Sequence, residues 1–346
     1  MTRRTALALP GLALAAANSS NDTLTAVDGI KVGHYTLKDR PTGCTAILCE
    51  AGAVAGVDVR GAAPGTRDTE LLNPINTVQQ IHGVMLSGGS AFGLETASGA
   101  MRYLESKNIG FPIAGTRVPI VPAAILMDLR LGDNKFRPTP DHGYQACVNA
   151  STKPVEEGNV GAGAGATIGK LFGMDFAMKA GIGSYAIRIG NTGIVVGALA
   201  AVNAVGDIID PRTGQIIAGA RTQDGKGFRN AMDAIRNGHL VVMPPGANTT
   251  LAVVATNVAL DKPQMSKIAQ MSHDGMARAI NPIHTPADGD TVFALSTGTL
   301  KLANVGHGQI GAIAAEALSL AILRAARNAP TVLNIPGLKD WKPVAK

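Results

Sequence analysis

Aromatic side chains are scarce: one Trp, four Tyr and seven Phe among 346 residues. A protein that strings single-stranded nucleic acid along its surface needs aromatic platforms for the bases, and this chain lacks them. Lys and Arg exceed Asp and Glu by 31 to 25, a net charge of +6. No dense basic run accompanies that excess, so it reads as a solubility term and no nucleic-acid partner is expected. Only 16% of residues are charged while 46% are apolar, which excludes disorder as the main state. Beyond the first residues, no stretch approaches the ~20 uninterrupted apolar residues of a bilayer span, so no membrane partner is expected.

Cysteine is also sparse. Cys44, Cys49 and Cys147 are odd in number and form no Cys-x-x-Cys, which supports neither a disulfide framework nor a zinc knuckle. The first two are either ordinary buried thiols or, in an exported protein, a Cys44–Cys49 bridge. Seven His occur without a His-Glu-x-x-His, so a zinc hydrolase lacks support. No metal or cofactor is expected.

Glycine is plentiful, at 42 residues. No Gly-X-Y period runs through it, so the glycines mark tight turns and close backbone approaches. At the N-terminus, Met1–Arg4 is a short basic start and Thr5–Ala17 an apolar run of signal-peptide length, followed by Asn18. Residues 1–17 therefore read as an export signal, with Arg3-Arg4 also admitting a twin-arginine type; the competing reading is an Ala-rich start. The expected location is the periplasm or outside the cell, and otherwise the cytoplasm.

Residues 24–346 offer no linker, so one domain is expected. DGIKVGHY and CTAILCEAGAVAGVDVR are strand-like, and a glycine turn follows in LSGGSAFGLE. Ala91, Leu94, Ala97, Met101 and Leu104 recur at helical spacing, with Gly110 as the stop and Ser90 as the cap. Ala162–Gly169 reads as small and flexible. Ala180–Asp207 reads as two strands. Thr250–Asn257 is a buried strand by its β-branched content. A helix is expected over Met265–Ile280 with Pro263 in its first turn. Thr291–Thr297 is a further strand and Gln309–Arg327 a further helix. The last hundred residues thus alternate strand and helix, the pattern of layered α/β folds.

Several motifs fail on inspection. Gly161–Ala166 fits the G-x-G-x-x-A dinucleotide pattern but lacks a convincing strand before it and an acid after it. Gly169-Lys170 resembles the end of a P-loop, yet Leu171 stands where Ser or Thr must reach Mg²⁺. Gly88-Gly89-Ser90 misses the nucleophile elbow by one residue. Asp288-Gly289-Asp290 reads by itself as a solvated turn, since a calcium loop needs a later acid. Asn248-Thr249-Thr250 heads a buried strand. A Thr there becomes an activated nucleophile only if the chain is cut before it, because a free α-amine of pKa about 7.7–8 can take its hydroxyl proton.

These pieces, taken in order, resemble the P1 peptidase family of D-aminopeptidase/esterases, β-peptidyl aminopeptidases and nylon-oligomer hydrolases. The matching segments are GIKVGHY, TGCTAIL, GAAPGTRDTELL, LSGGSAFGLE, VPIVPAAILMDL, GNVGAGAGATIGK, NAVGDIID, NTTLAVVATN and HTPADGDTVFA. The resemblance implies an αββα sandwich shared with ornithine acetyltransferase, self-cleaved into an α chain ending at Asn248 and a β chain from Thr249. Carried over by residue, Thr249 is the nucleophile, Lys170 the lysine after the Gly-rich run, and Asn203 the oxyanion donor. Asp288 and Asp290 are the acidic pair that orients the hydroxyl and holds the amine. Met127, Gly88, Gly89 and Ser90 are candidate pocket residues, with Met127 standing where the nylon-hydrolase branch carries a Tyr. Asp-Gly-Asp and Asn-Thr both favour that branch. The implied activity is amide hydrolysis through an acyl-enzyme on a small amide or short peptide, by a tetramer of αβ units. Acyl transfer of the ornithine acetyltransferase type and dinucleotide binding are the alternatives.

Overall fold

The computed structural model describes residues 21–302 and 305–341. The apolar segment 1–17 lies outside these residues. Nine strands form the main sheet. They are β1 (Lys31–Thr36), β2 (Gly43–Val59), β3 (Thr66–Arg67), β4 (Gln80–Ser87), β5 (Ala123–Ile125), β6 (Ile182–Arg188), β7 (Val195–Asn203), β8 (Thr249–Val258) and β9 (Thr291–Leu300). The helices are α1 (Thr96–Ser106), α2 (Pro140–Val148), α3 (Ala231–Arg236), α4 (Lys262–Ala279) and α5 (His307–Arg327).

The sheet runs β6-β7-β8-β9-β2-β4-β5-β3, with β1 also on β2. β8 and β9 are parallel neighbours. Such a pair needs a long crossover, and α4 supplies it. Asp261 caps α4 in a capping box with Gln264, and a Pro occupies the first turn. That start is strongly specified, because two orphan donors are satisfied reciprocally.

Strand β2 is 17 residues long. Its first part pairs with β1 and β4, its last part with β9, and its register on β4 shifts between Leu48 and Ala53. The strand thereby belongs to two leaves of one bent sheet. Side-chain alternation then fills three layers. On β8 and β9, Ala252, Val254, Val292 and Ala294 pack under α4 and α5. Their neighbours Leu251, Val253, Phe293 and Leu295 point inward to meet Ile47, Val84 and Leu86 from the other leaf. Cys44, Ala46, Leu48 and Met85 pack outward against α1 and α2. The result is the expected αββα sandwich. Helices α4 and α5 pack very closely at Gly275, where a Cβ would lie 2.1 Å from the Ala315 carbonyl oxygen.

Some local expectations need correction. Ser90 is not a helix cap: it opens a 3-10 turn over Ser90–Glu95 at φ 57, and its side chain makes no capping bond. The regular helix begins only at Thr96 and ends at Ser106, before Gly110. The Gly-rich run is not flexible. Gly161, Ala162 and Gly163 are buried, Ala162 N–H donates to Thr45 Oγ1, and a Cβ on Gly163 would lie 2.4 Å from the Gly181 backbone. The close approach that its glycines permit is to the chain's own strands. The three cysteines are free and buried, and burial pushes the Cys49 and Cys147 thiols up to about 12.

Candidate active site

The site lies where β8 begins. β7 and β8 are antiparallel, with Asn203 opposite Thr249. Just upstream, Asn248 forms an isolated parallel bridge with Asp288. Pro244-Pro245-Gly246 precedes it in irregular backbone, as the missing N–H groups of two prolines require.

The Asp288-Gly289-Asp290 turn is buried, with both carboxylates at 0% exposure; the solvated-turn reading is overturned. Its shape follows from local bonds. Asp288 Oδ2 accepts the Thr285 N–H at 2.7 Å, and Asp288 N–H donates to the Thr285 carbonyl at 3.0 Å. Asp290 Oδ1 accepts the Thr250 N–H at 2.6 Å, while Oδ2 faces His284. Asp288 Oδ1 is buried without a partner. Burial, and then the charge of Asp290, raises the Asp288 carboxyl to about 6. Neither carboxylate bonds the Thr249 hydroxyl, contrary to the orienting role expected for them.

That hydroxyl instead donates to the Asn248 carbonyl oxygen at 2.5 Å. The same oxygen accepts the Gly289 N–H at 3.0 Å. A Cβ on Gly289 would sit 2.8 Å from Thr249 Oγ1, so only glycine fits between the turn and the hydroxyl. The Asn248 amide side chain is buried with both polar atoms unpartnered.

Lys170 approaches from the Asn203 side. Its Nζ donates to Asn203 Oδ1 at 2.8 Å and to the Asn203 carbonyl at 3.3 Å. It is buried, and desolvation lowers its pKa to about 7 against the opposing pull of Asp288. Asn203 Oδ1 also accepts the Thr167 N–H at 3.1 Å, and Nδ2 donates to the Met127 carbonyl at 3.0 Å. The main-chain donor at the Asn248 carbonyl is thus the Gly289 N–H, and Asn203 is engaged with Lys170 and Met127.

Met127 joins Lys170, Thr167 and Ala247 around a narrow crevice. Gly88, Gly89 and Ser90 line neither this crevice nor the neighbouring cavity. They serve the crevice indirectly. Gly89 N–H donates to Asp128 Oδ1 at 2.9 Å, and Thr42 Oγ1 donates to Asp128 Oδ2 at 2.6 Å. Asp128 is held by Arg40 in a fully buried ion pair. Arg40 further donates to the Leu131 and Phe136 carbonyls. This anchor fixes the segment that presents the Met127 carbonyl.

A cavity of about 420 Å³ abuts the site on its other side. Its apolar walls include Ile235 and Met243, together with Leu171, Val205, Pro286 and Ala287, which are sequence neighbours of Lys170, Asn203 and Asp288. Among the described residues no cluster of three His, Cys, Asp or Glu is placed to hold a metal.

The residues singled out from sequence, Thr249, Asn248, Asn203, Lys170, Asp288 and Asp290, are brought together in the structure. Sequence reasoning missed Gly289, whose backbone donor leaves no side-chain signal, and the Arg40–Asp128 anchor. It also missed His284, which the HTPADGD run does contain.

A mixed α/β sandwich carries Thr249 at the head of a central strand against a buried acidic turn, and that fold recurs in solved aminopeptidase structures. The solved β-aminopeptidase of a Burkholderia species superposes with TM-score 0.66 at 21% identity, over 96% of this chain and 92% of that one. The L-aminopeptidase D-Ala-esterase/amidase of Ochrobactrum anthropi also superposes at 0.66, with 19% identity over 92% and 89% of the two chains. An uncharacterized aminopeptidase of Mycobacterium tuberculosis is 40% identical over 94% of this chain and 99% of its own. The 6-aminohexanoate-oligomer endohydrolase of a Kocuria species is 30% identical, over 86% and 84%. The peptidase family S58 model matches residues 22–338. The chain belongs to peptidase family S58 and is a hydrolase of the aminopeptidase/amidase kind.

Proposed function

We propose that this protein cuts itself between Asn248 and Thr249 and then hydrolyses short amides through a Thr249 acyl-enzyme. The observation that carries this is the convergence of the Thr249 hydroxyl and the Gly289 N–H on the Asn248 carbonyl. A nucleophile on one side and a fixed donor on the oxygen are what a tetrahedral oxyanion needs.

In the precursor, Thr249 Oγ attacks the Asn248 carbonyl carbon and loses its proton. The proposed acceptor is Lys170, held on Asn203 opposite Thr249 and lowered by burial to about 7. The tetrahedral adduct collapses to an ester as the C–N bond breaks and the nitrogen takes a proton. Water then hydrolyses the ester, leaving the Asn248 carboxylate and a free Thr249 α-amine. In this reading Asp288, whose Oδ1 has no other partner, holds that amine as its ammonium form. On an external amide, the neutral amine takes the Thr249 proton, and the acyl group passes to Oγ while the leaving amine receives the proton. Asn203 Nδ2, freed from Met127, is a second oxyanion donor in this cycle.

The apolar cavity beside Lys170 favours an unbranched, uncharged chain next to the scissile amide. Linear amides such as 6-aminohexanoate oligomers lead, followed by β-peptides and N-terminal amino-acid amides. Met127 adds no hydroxyl to that site. A tetramer of αβ units and export through residues 1–17 belong to the same reading. Intact-mass analysis of purified protein, followed by incubation with 6-aminohexanoate oligomers and amino-acid amides, tests it. An uncut chain that turns over none of these amides overturns it. Product transferred to an added amine in place of free acid would favour acyl transfer.

A further inference from the structure

His284 has no role in the steps above, yet it is built into the acidic turn. It stands in the left-handed region at φ 57, a conformation uncommon for residues other than glycine. Its main-chain N–H donates to Asp290 Oδ2 at 3.1 Å, and its ring Nδ1 lies 2.8 Å from the same oxygen. The other oxygen of that carboxylate accepts the N–H of Thr250, the residue after the nucleophile.

We infer that His284 is a positioning residue, which locks the Asp290 carboxylate through an Nδ1–H bond and so fixes the backbone that carries Thr249. This rests on the hydrolase reading above. A carboxylate can rotate about its Cβ–Cγ bond, and one bond to Thr250 alone would leave that rotation free. Two bonds from His284 to the opposite oxygen remove it. The nucleophile is then held by a chain from His284 through Asp290 to Thr250, with no side-chain contact to the hydroxyl itself.

The ring is held in turn. Its centroid lies 4.7 Å from that of His273, at 71°. His273 is fully buried on α4, and its Nε2 sits 3.1 Å from the Asp58 carbonyl oxygen. Burial keeps His273 neutral by lowering it to about 4. Helix α4 therefore backs the acidic turn with an uncharged aromatic edge. The unpartnered Nε2 of His284 marks which nitrogen is bare if Nδ1 carries the proton.

Three variants separate the backbone from the ring. His284→Gly accepts the left-handed conformation but has no side-chain donor. His284→Asn tolerates that conformation and can offer an amide N–H to Asp290. His284→Ala has neither advantage. The expected result is that the Gly and Ala variants cut slowly and lose roughly 10- to 100-fold in kcat with KM little changed. The Asn variant should recover most of the loss. Nitrogen NMR of the unaltered protein should find His284 protonated at Nδ1 and bare at Nε2. Wild-type rates in a folded Gly variant, an Asn variant as slow as Gly, or the opposite tautomer would each overturn the inference while leaving the hydrolase reading intact. An unaltered protein that neither cuts nor hydrolyses amides removes that reading, and this inference with it.

Discussion

Asn203 stands directly opposite Thr249 on the neighbouring antiparallel strand. Their spacing is set by a ladder of backbone bonds rather than by a loop. A side chain mounted on a central strand is held more closely than one on a surface segment. Lys170, bonded to both oxygens of Asn203, inherits the same reference frame.

Thr249→Ala should remain one chain and be inactive, because no hydroxyl can attack Asn248. Thr250→Val should still be cut. The Thr250 hydroxyl has no partner, and its useful group is the main-chain N–H. Intact mass gives the outcome directly, and N-terminal sequencing of the light fragment should begin Thr-Thr-Leu-Ala.

Gly289→Ala should fold and be cut far more slowly. The new methyl would meet Thr249 Oγ1 at 2.8 Å and the Ala63 carbonyl oxygen at 2.8 Å, so the turn must shift and the donor to Asn248 is lost. Loss of one oxyanion donor costs about 10²–10³ in rate. A time course of cleavage on denaturing gels measures it.

Self-cleavage should speed up as pH rises through about 7 and level off above, since only neutral Lys170 can take a proton. Lys170→Arg keeps the charge and should be slow with no such step. Stopping the reaction at intervals across pH 5–9 gives the profile.

Stability should also rise with pH. Lys170 and Lys179 both have folded values near 7 because they are buried, against an ordinary 10.5. Between those values the unfolded chain binds more protons than the folded one, so unfolding becomes harder as pH increases from about 7 toward 10.5. Lys179→Met removes one of the two contributions and should flatten the rise. It also strands the Ala164 and Ala166 carbonyls that Lys179 serves, at a cost of about 1–3 kcal/mol. Urea unfolding at pH 7 and 9 compares the two proteins.

Arg40→Met should destabilise by about 3–5 kcal/mol, since it strips the buried Asp128 of its counter-ion. Residual folded enzyme should also be slow, because Asp128 anchors the segment that carries Met127. Denaturant midpoints and amide turnover on the same samples test both effects.

Much of this was legible in the residues. Helix α4 follows from Pro263, Ile268, Ala269 and Met276, and β8 from its β-branched run. The αββα layering came through the resemblance rather than periodicity, because β2 serves two leaves and its pattern shows no break. Ser90 was misread because a Ser before an apolar period usually caps a helix, whereas here Gly89 and Ser90 turn the chain in left-handed conformations. Burial of Asp288 and Asp290 has no local sign: Asp-Gly-Asp reads the same whether water or Thr249 lies next to it. The Arg40–Asp128 pair joins positions far apart in sequence, and an isolated Arg gives no hint of its partner.

Strand β8 sits in the interior of the main sheet, between β7 and β9. The proposed break just before it would separate two polypeptides that stay interleaved, with one fragment's first strand clamped between strands of both. Before the break, folding is a search by a single molecule. Afterwards, the same architecture can be rebuilt only when two different molecules meet, and each alone exposes half of a core. Cleavage as proposed would make assembly a one-way process: the cut enzyme would persist through slow unfolding, and heating or denaturant should erase it in a concentration-dependent way that the uncut Thr249→Ala chain escapes.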